Sequence, residues 1–223
     1  MRPDNPWLQI PADDYEKHMS SPNVAQLQFL SEIFANVIEE YSPDSICVLG
    51  CTAGYGFEQL IDRSFEKVVG IDINLSYLAK CRNWFIEDVQ NLNLICADLN
   101  ELELADSSFE LIYAALIFEY VEIDKLLPKI FNWLKPNGVL AVVLQLPGKA
   151  SSPVSDTECE SIKLLSSIMK LVPVDEFNKT AIRCGLIEVI SYVHKIFNGK
   201  SFYVGLYSKK SDTSLYIKKG IPL

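Results

Sequence analysis

The sequence predicts an α/β fold: a doubly wound sheet of seven strands, mostly parallel, closed by a C-terminal antiparallel hairpin. Three observations predict it. Short apolar runs alternate with segments of helical period from residue 46 to residue 146, the rhythm of a parallel sheet covered on both faces. The first run breaks into a glycine-rich turn, Ile46-Cys-Val-Leu-Gly-Cys-Thr-Ala-Gly-Tyr-Gly56, and the second ends on a carboxylate, Asp72. The last two runs, 186–197 and 201–208, are parted only by Asn198-Gly199-Lys200, a turn that sends the chain straight back.

Residues 1–22 carry prolines, acids, Trp7, Tyr15 and His18 without a period, so they read as an irregular cap or a short helical arm. From 23 to 40, Val24, Leu27, Leu30, Ile33, Phe34, Val37 and Ile38 recur at three and four residues, the stripe of an amphipathic helix that Ser42-Pro43 stops. The first strand is expected at 46–50 with a helix over 57–63, and the second at 67–72 with a helix over 76–87. Strands three and four fall at 92–96 and 109–115, and a helix at 125–134 follows. Pro136-Asn-Gly138 turns the chain into the fifth strand, 139–146. Helices around 158–171 and 174–184 precede the hairpin. The polar, lysine-flecked end reads as a flexible tail. The domain organisation expected is a helical cap or lid over 1–40, one sheet domain over 41–210 and the tail over 211–223.

A chain of 223 residues suits one large domain. Its 49% hydrophobic and 22% charged residues are an ordinary globular balance. A net charge of −9 argues against nucleic acid or an anionic membrane as the main partner. The six cysteines form no Cys-x-x-Cys pair, and His18 and His194 are the only histidines, so no metal site is expected. Free buried thiols in a reducing cytoplasm fit that pattern. No run of about 18 apolar residues marks a membrane span, and no apolar signal core follows Met-Arg-Pro-Asp-Asn-Pro-Trp. A cytoplasmic location is expected.

Gly50, Gly54 and Gly56 let the backbone turn tightly and leave room for a ligand to lie against it. Asp72 falls where the carboxylate of a doubly wound nucleotide fold reaches the ribose hydroxyls, although it could equally cap a helix starting near Leu75. Together they point to a cofactor carrying an adenosine.

With these motifs in order, the chain resembles the class I S-adenosylmethionine-dependent methyltransferases, of the small-molecule, methyltransferase-11-like type, over roughly residues 40–210. The resemblance rests on Val48-Leu-Gly-Cys-Thr-Ala-Gly54, on Val69-Gly-Ile-Asp72-Ile-Asn, on Cys96-Ala-Asp98-Leu99, on Asp106-Ser-Ser-Phe-Glu-Leu-Ile-Tyr113 with Ala115-Leu-Ile-Phe-Glu-Tyr-Val121, and on Leu134-Lys-Pro-Asn-Gly-Val-Leu140. It implies a Rossmann-like fold, S-adenosylmethionine as cofactor and S-adenosylhomocysteine as product. The cofactor residues it implies are Gly50, Cys51 (through its backbone), Thr52, Gly54, Asp72, Ile73, Asp98, Leu99 and Ala115. Asp98 would meet the adenine amino group or simply open a polar loop, and Ile73 and Leu99 would sandwich the base or belong to the core. Two positions depart from the pattern: Val48 stands where the family usually has an acid, and Thr52 replaces its middle glycine. Tyr120 also stands where many relatives carry histidine.

Methyl transfer from a sulfonium needs an acceptor held in line behind the methyl carbon, and a base only if the acceptor is protonated. The candidates for orientation or proton removal are Tyr15, His18, Glu119 and Tyr120. The acceptor cavity is expected from residues 1–22, the loop after the fourth strand and the segment 146–173, and it suits a small, partly apolar molecule. The alternative is a non-catalytic S-adenosylmethionine-binding or interaction scaffold, with Val48 and Thr52 recording lost activity. A nicotinamide enzyme fits less well, because the turn reads Gly-x-x-x-Gly-x-Gly rather than Gly-x-Gly-x-x-Gly.

Overall fold

Successive side chains of a strand point to opposite faces, so a strand apolar at every position must be covered on both sides. β1 (Ser45–Leu49) is buried at every residue. A computed structural model describes residues 5–22, 24–148, 154–155, 157–196 and 199–209. Its further elements are α1 (Ala12–Ser20), α2 (Gln26–Tyr41), β2 (Lys67–Asp72), α3 (Leu75–Phe85), β3 (Leu92–Cys96), β4 (Phe109–Ala115), α4 (Ile123–Trp133), β5 (Leu134–Gln145), α5 (Val174–Arg183), β6 (Leu186–Lys195) and β7 (Ser201–Lys209).

The seven strands form one Rossmann-like sheet in the order β3-β2-β1-β4-β5-β7-β6. The first five pair in parallel, and β7 is antiparallel to both β5 and β6. Ile46 and Val48 face a layer built on Phe29, Ile33, Phe34, Val37 and Ile38 of α2. Cys47 and Leu49 face the opposite layer, with Leu126, Leu127 and Ile130 of α4 and Phe177 and Ala181 of α5. β1 has β2 on one side and β4 on the other. The chain order reverses there, which opens a crevice at the carboxyl ends of the strands.

Two expected helices take another form. Over 57–63 the structure holds only a 3-10 turn, Phe57–Leu60. Gly56 at φ 97° and Asp62 at φ 60° bracket it in the left-handed region, which an α-helix cannot traverse. The segment expected as a helix around 158–171 is a 3-10 run, Glu160–Ser167, burying Ile162 and Leu165. Three residues per turn stack that pair on one edge. The expected tail, 211–223, lies outside the described residues, as do residues 197 and 198 of the hairpin turn. No helix among the described residues is long and apolar enough to cross a membrane.

The N-terminal arm is pinned across the crevice. Lys80 of α3 binds Asp13 at 2.6 Å and Glu16 at 2.8 Å on α1. Ser161 donates to Asp14 at 2.6 Å. Ile10, Cys159, Ile162 and Leu165 make a small core of their own beneath the arm.

Candidate active site

The turn after β1 settles its backbone internally. Gly50 and Cys51 both donate their N–H to the Ile71 carbonyl, at 2.8 and 3.0 Å. Thr52, at φ 49°, donates its N–H to Asp72 Oδ2 at 2.9 Å. Gly50 is at φ 69°, and a Cβ there would stand 2.9 Å from Ile117 Cδ1, so a side chain would strain the backbone and displace Ile117. What the first residues of this turn offer a ligand is therefore a bare surface rather than free N–H groups.

Asp72 ends β2 on the wall of the cleft, only 7% exposed. Its Oδ1 accepts the Asn74 N–H at 2.8 Å. Burial lifts its pKa to about 6, against the pull of the backbone N–H bonds from Asn74, Thr52 and Ile73. The N-cap of α3 is Asn74, whose Oδ1 accepts from Ser76 N at 2.9 Å, so Asp72 is released from that duty. Asn74 Nδ2 also donates to the Trp7 carbonyl at 2.8 Å, fastening the arm beside the carboxylate.

Of the residues singled out in the sequence, Gly50, Thr52, Asp72, Ile73, Asp98, Leu99, Ala115, Tyr15 and Tyr120 line this one cleft. Asp98 Oδ1 accepts from the Asn100 N–H at 3.0 Å, leaving Oδ2 for another partner. Cys51 and Gly54 lie behind the cleft: Cys51 Sγ would sit 3.0 Å from a Cβ on Gly70, and Gly54 packs on Cys81 and Phe85. Burial raises the Cys51 thiol far above its ordinary range, as expected of a core group.

Trp7, Tyr15, Leu116 and Tyr120 also line a second, adjoining chamber with His18, Gln26, Gln145 and Lys200. The Trp7 ring meets Tyr15 and Tyr120 edge-on, with centroids 5.5 and 5.0 Å apart, and so holds the partition together. His18 Nδ1 pairs with Thr157 Oγ1 at 2.9 Å. Burial, and then the nearby Lys200 ammonium, push its pKa down to about 4, so it is neutral at pH 7. Burial raises the Tyr15 and Tyr120 hydroxyls far above their usual range; Asp72 adds to the effect on Tyr15, and Glu119 on Tyr120.

Glu119 lines neither space. It is 1% exposed; Oε1 accepts from Gln145 N at 2.8 Å and Oε2 has no partner. Its pKa rises to about 7 through burial. It holds the end of β5 from beneath. Sequence reasoning missed Trp7, Asn74, Gln26, Gln145 and Lys200. Only Asn74 carried a local signal, as an Asn directly before a helical stretch.

Residues 47–142 match the methyltransferase domain family. A carboxy-S-adenosyl-L-methionine synthase of Helicobacter pylori strain Shi470 is 33% identical over 115 residues, 49% of this chain and 47% of that protein. Phosphoethanolamine N-methyltransferase 1 of Triticum aestivum is 27% identical over 108 residues, 46% of this chain and 21% of that protein. The matches thus span half the length of these relatives or less. Among solved structures, the N-methyltransferase NodS of Bradyrhizobium japonicum WM9, in complex with S-adenosyl-L-homocysteine, superposes with a TM-score of 0.66 at 11% identity, covering 90% of this chain and 98% of that one. That likeness is one of fold.

Proposed function

We propose that this chain, whose core is a class I S-adenosylmethionine-dependent methyltransferase domain, transfers a methyl group from S-adenosylmethionine to a small-molecule acceptor. The observation that carries the reading is the Asp72 carboxylate, set at the cleft wall beside a turn with no Cβ at Gly50. Oδ2 accepts the Thr52 N–H and Oδ1 the Asn74 N–H, and the Ile73 N–H also draws on the group. A carboxylate has about four lone-pair sites, so acceptor capacity is left over for a ribose hydroxyl. Ile73 and Leu99 supply apolar walls for a purine, and Asp98 Oδ2 an acceptor for its amino group. Val48 packs in the core, away from the cleft, and Thr52 adopts the left-handed backbone that a middle glycine would. Both departures therefore leave the cleft's shape in place.

When bound, the cofactor supplies an electrophilic methyl group on a sulfonium. The chain's own part is orientation and exclusion of water, with residues of the N-terminal arm serving as the lid. His18, neutral at pH 7, lines the acceptor side but is a weak base at a pKa of about 4. This supports catalysis by placement, with Tyr15 and Tyr120 orienting the acceptor, over strong general-base chemistry.

Calorimetric titration with S-adenosylmethionine, S-adenosylhomocysteine and NAD tests the reading. Binding of the first two and not of NAD is expected, weakened at least about tenfold in Asp72→Ala as a charge-assisted hydrogen bond is lost. No binding, or binding indifferent to Asp72, overturns it. Binding without turnover of any acceptor would favour the scaffold reading. A second reading follows from the names of the Helicobacter pylori relatives: the product would be a carboxylated S-adenosylmethionine, which mass spectrometry separates from S-adenosylhomocysteine.

A further inference from the structure

Asn100, two residues after Asp98, gives both of its donors to one oxygen of that carboxylate. Its backbone N–H reaches Asp98 Oδ1 at 3.0 Å and its Nδ2 reaches the same atom at 3.2 Å. A carboxylate oxygen has about two lone-pair sites, so Oδ1 is filled, and any rotation of the carboxyl breaks both bonds. Oδ2 has no hydrogen-bond partner among the described residues. The Asn100 amide is itself held the right way round. Its Oδ1 accepts the Glu122 N–H at 3.1 Å, and a flipped amide would set donor against donor there and acceptor against carboxylate at Asp98. Glu122 is the N-cap residue of α4. From within α4, Lys129 Nζ donates to the Asn100 and Leu102 carbonyls at 2.9 Å each and pairs with Glu103 at 2.8 Å. The loop after β3 is thus fastened to α4 at several points, and Asp98, Leu99, Asn100 and Val121 all line the cofactor cleft.

We propose that Asn100 is a positioning residue for base recognition: by filling Asp98 Oδ1 it reserves Oδ2 for an exocyclic amino group, so that the cleft takes an adenine and rejects its deaminated counterpart, hypoxanthine. The inference rests on the S-adenosylmethionine reading for the identity of the ligand. An amino group donates to Oδ2. Hypoxanthine sets a carbonyl in that place, acceptor against acceptor, and carries its donor on the adjacent ring nitrogen instead. A carboxyl free to turn would follow the donor to that nitrogen and accept either base. A carboxyl held by two bonds cannot follow it without breaking them, so discrimination depends on the hold as much as on the acceptor.

The test is calorimetric titration of the full chain with S-adenosylhomocysteine and S-inosylhomocysteine, which differ only in the base. The parent chain is expected to prefer the adenine compound about thirtyfold, the worth of one hydrogen bond to a charged group. In Asn100→Leu, of nearly the same shape, and in Asn100→Ala, that preference should shrink about fivefold, chiefly because the hypoxanthine compound loses less affinity than the adenine compound or gains some. Two variants guard against one failing to fold. A purely structural part for Asn100 would weaken both ligands in equal measure and leave their ratio alone. An unchanged ratio in the variants, whether or not the affinities fall, overturns the proposal and leaves the cofactor reading standing. So does equal binding of the two compounds by the parent chain. If the parent chain binds neither compound, the cofactor reading falls and the proposal with it.

Discussion

Glu119 illustrates how a single carboxyl can matter to a site it does not enter. Oε1 holds Gln145 N at 2.8 Å while Oε2 is buried without a partner. Burial raises its pKa from 4.5 to about 7. The native state thus favours its protonated form. The stabilisation is fully present below pH 4.5 and is lost as pH rises through 7. Glu119→Gln keeps an acceptor for Gln145 and has no charge to bury. Its stability relative to the parent chain should therefore climb between pH 4.5 and pH 8, by at most about 3 kcal/mol. Urea unfolding at both pH values measures this, and a difference independent of pH would show that the carboxyl is not buried as charge. The residue's identity was visible in the sequence as a polar group after β4. Its direction was not, because the neighbours that bury it come from β5 and from the segment around Lys170, whose N–H donates to the Glu119 carbonyl at 2.9 Å.

At the scale of elements, α1 is held on α3 by Lys80, which reaches two carboxylates of α1 and lies 4.5 Å from the Trp84 ring centroid. Exposed ion pairs are weak one by one, but here one side chain joins the arm to the helix that Asn74 caps. Lys80→Ala should cost about 1 kcal/mol of stability. It should also raise the dissociation rate of S-adenosylhomocysteine several-fold, about what a loss of 1 kcal/mol from the closed state implies. Stopped-flow displacement would measure it, and an unchanged rate would mean the arm does not govern release. The central strands were legible as short apolar runs buried on both faces, and the edge strand β6 by the turn that sends the chain back into β7. The helix expected over 57–63 was not, since Asp62 adopts a left-handed φ, which aspartate only occasionally takes and which a helical apolar pattern does not reveal. The arm was legible as an irregular or helical piece, but its place over the crevice is set by ion pairs between residues far apart in the chain.

For the whole molecule, the order of the strands decides what was readable in the site. Gly50, Asp72 and Asp98 end neighbouring strands or begin the turns after them, so local motifs were enough to bring them to one cleft. Gln26, Gln145 and Lys200 come from α2, the end of β5 and a hairpin turn, and no spacing in the sequence connects them. The cleft is walled by the sheet, the β4–α4 connection and the arm together. A ligand there should stabilise the fold as one unit. At a hundredfold excess over its dissociation constant, S-adenosylhomocysteine should add about 2.7 kcal/mol, raising the melting temperature by roughly 5–10 °C in a single transition. Calorimetry that resolved two transitions, only one of them shifted, would separate the arm from the sheet.

Among its contacts, Asn74 joins three parts of the site: its N–H to Asp72, its Oδ1 to the start of α3, and its Nδ2 to the Trp7 carbonyl. In mechanical terms it is a corner bracket. Two of its arms grip the fixed frame, the end of β2 and the beginning of α3, and the third grips the cover. Any motion that lifts the cover pulls on the same bracket that aims the carboxylate. With the arm as the lid proposed above and Asp72 as the group that meets the cofactor, opening the site and loosening that carboxylate would be one event.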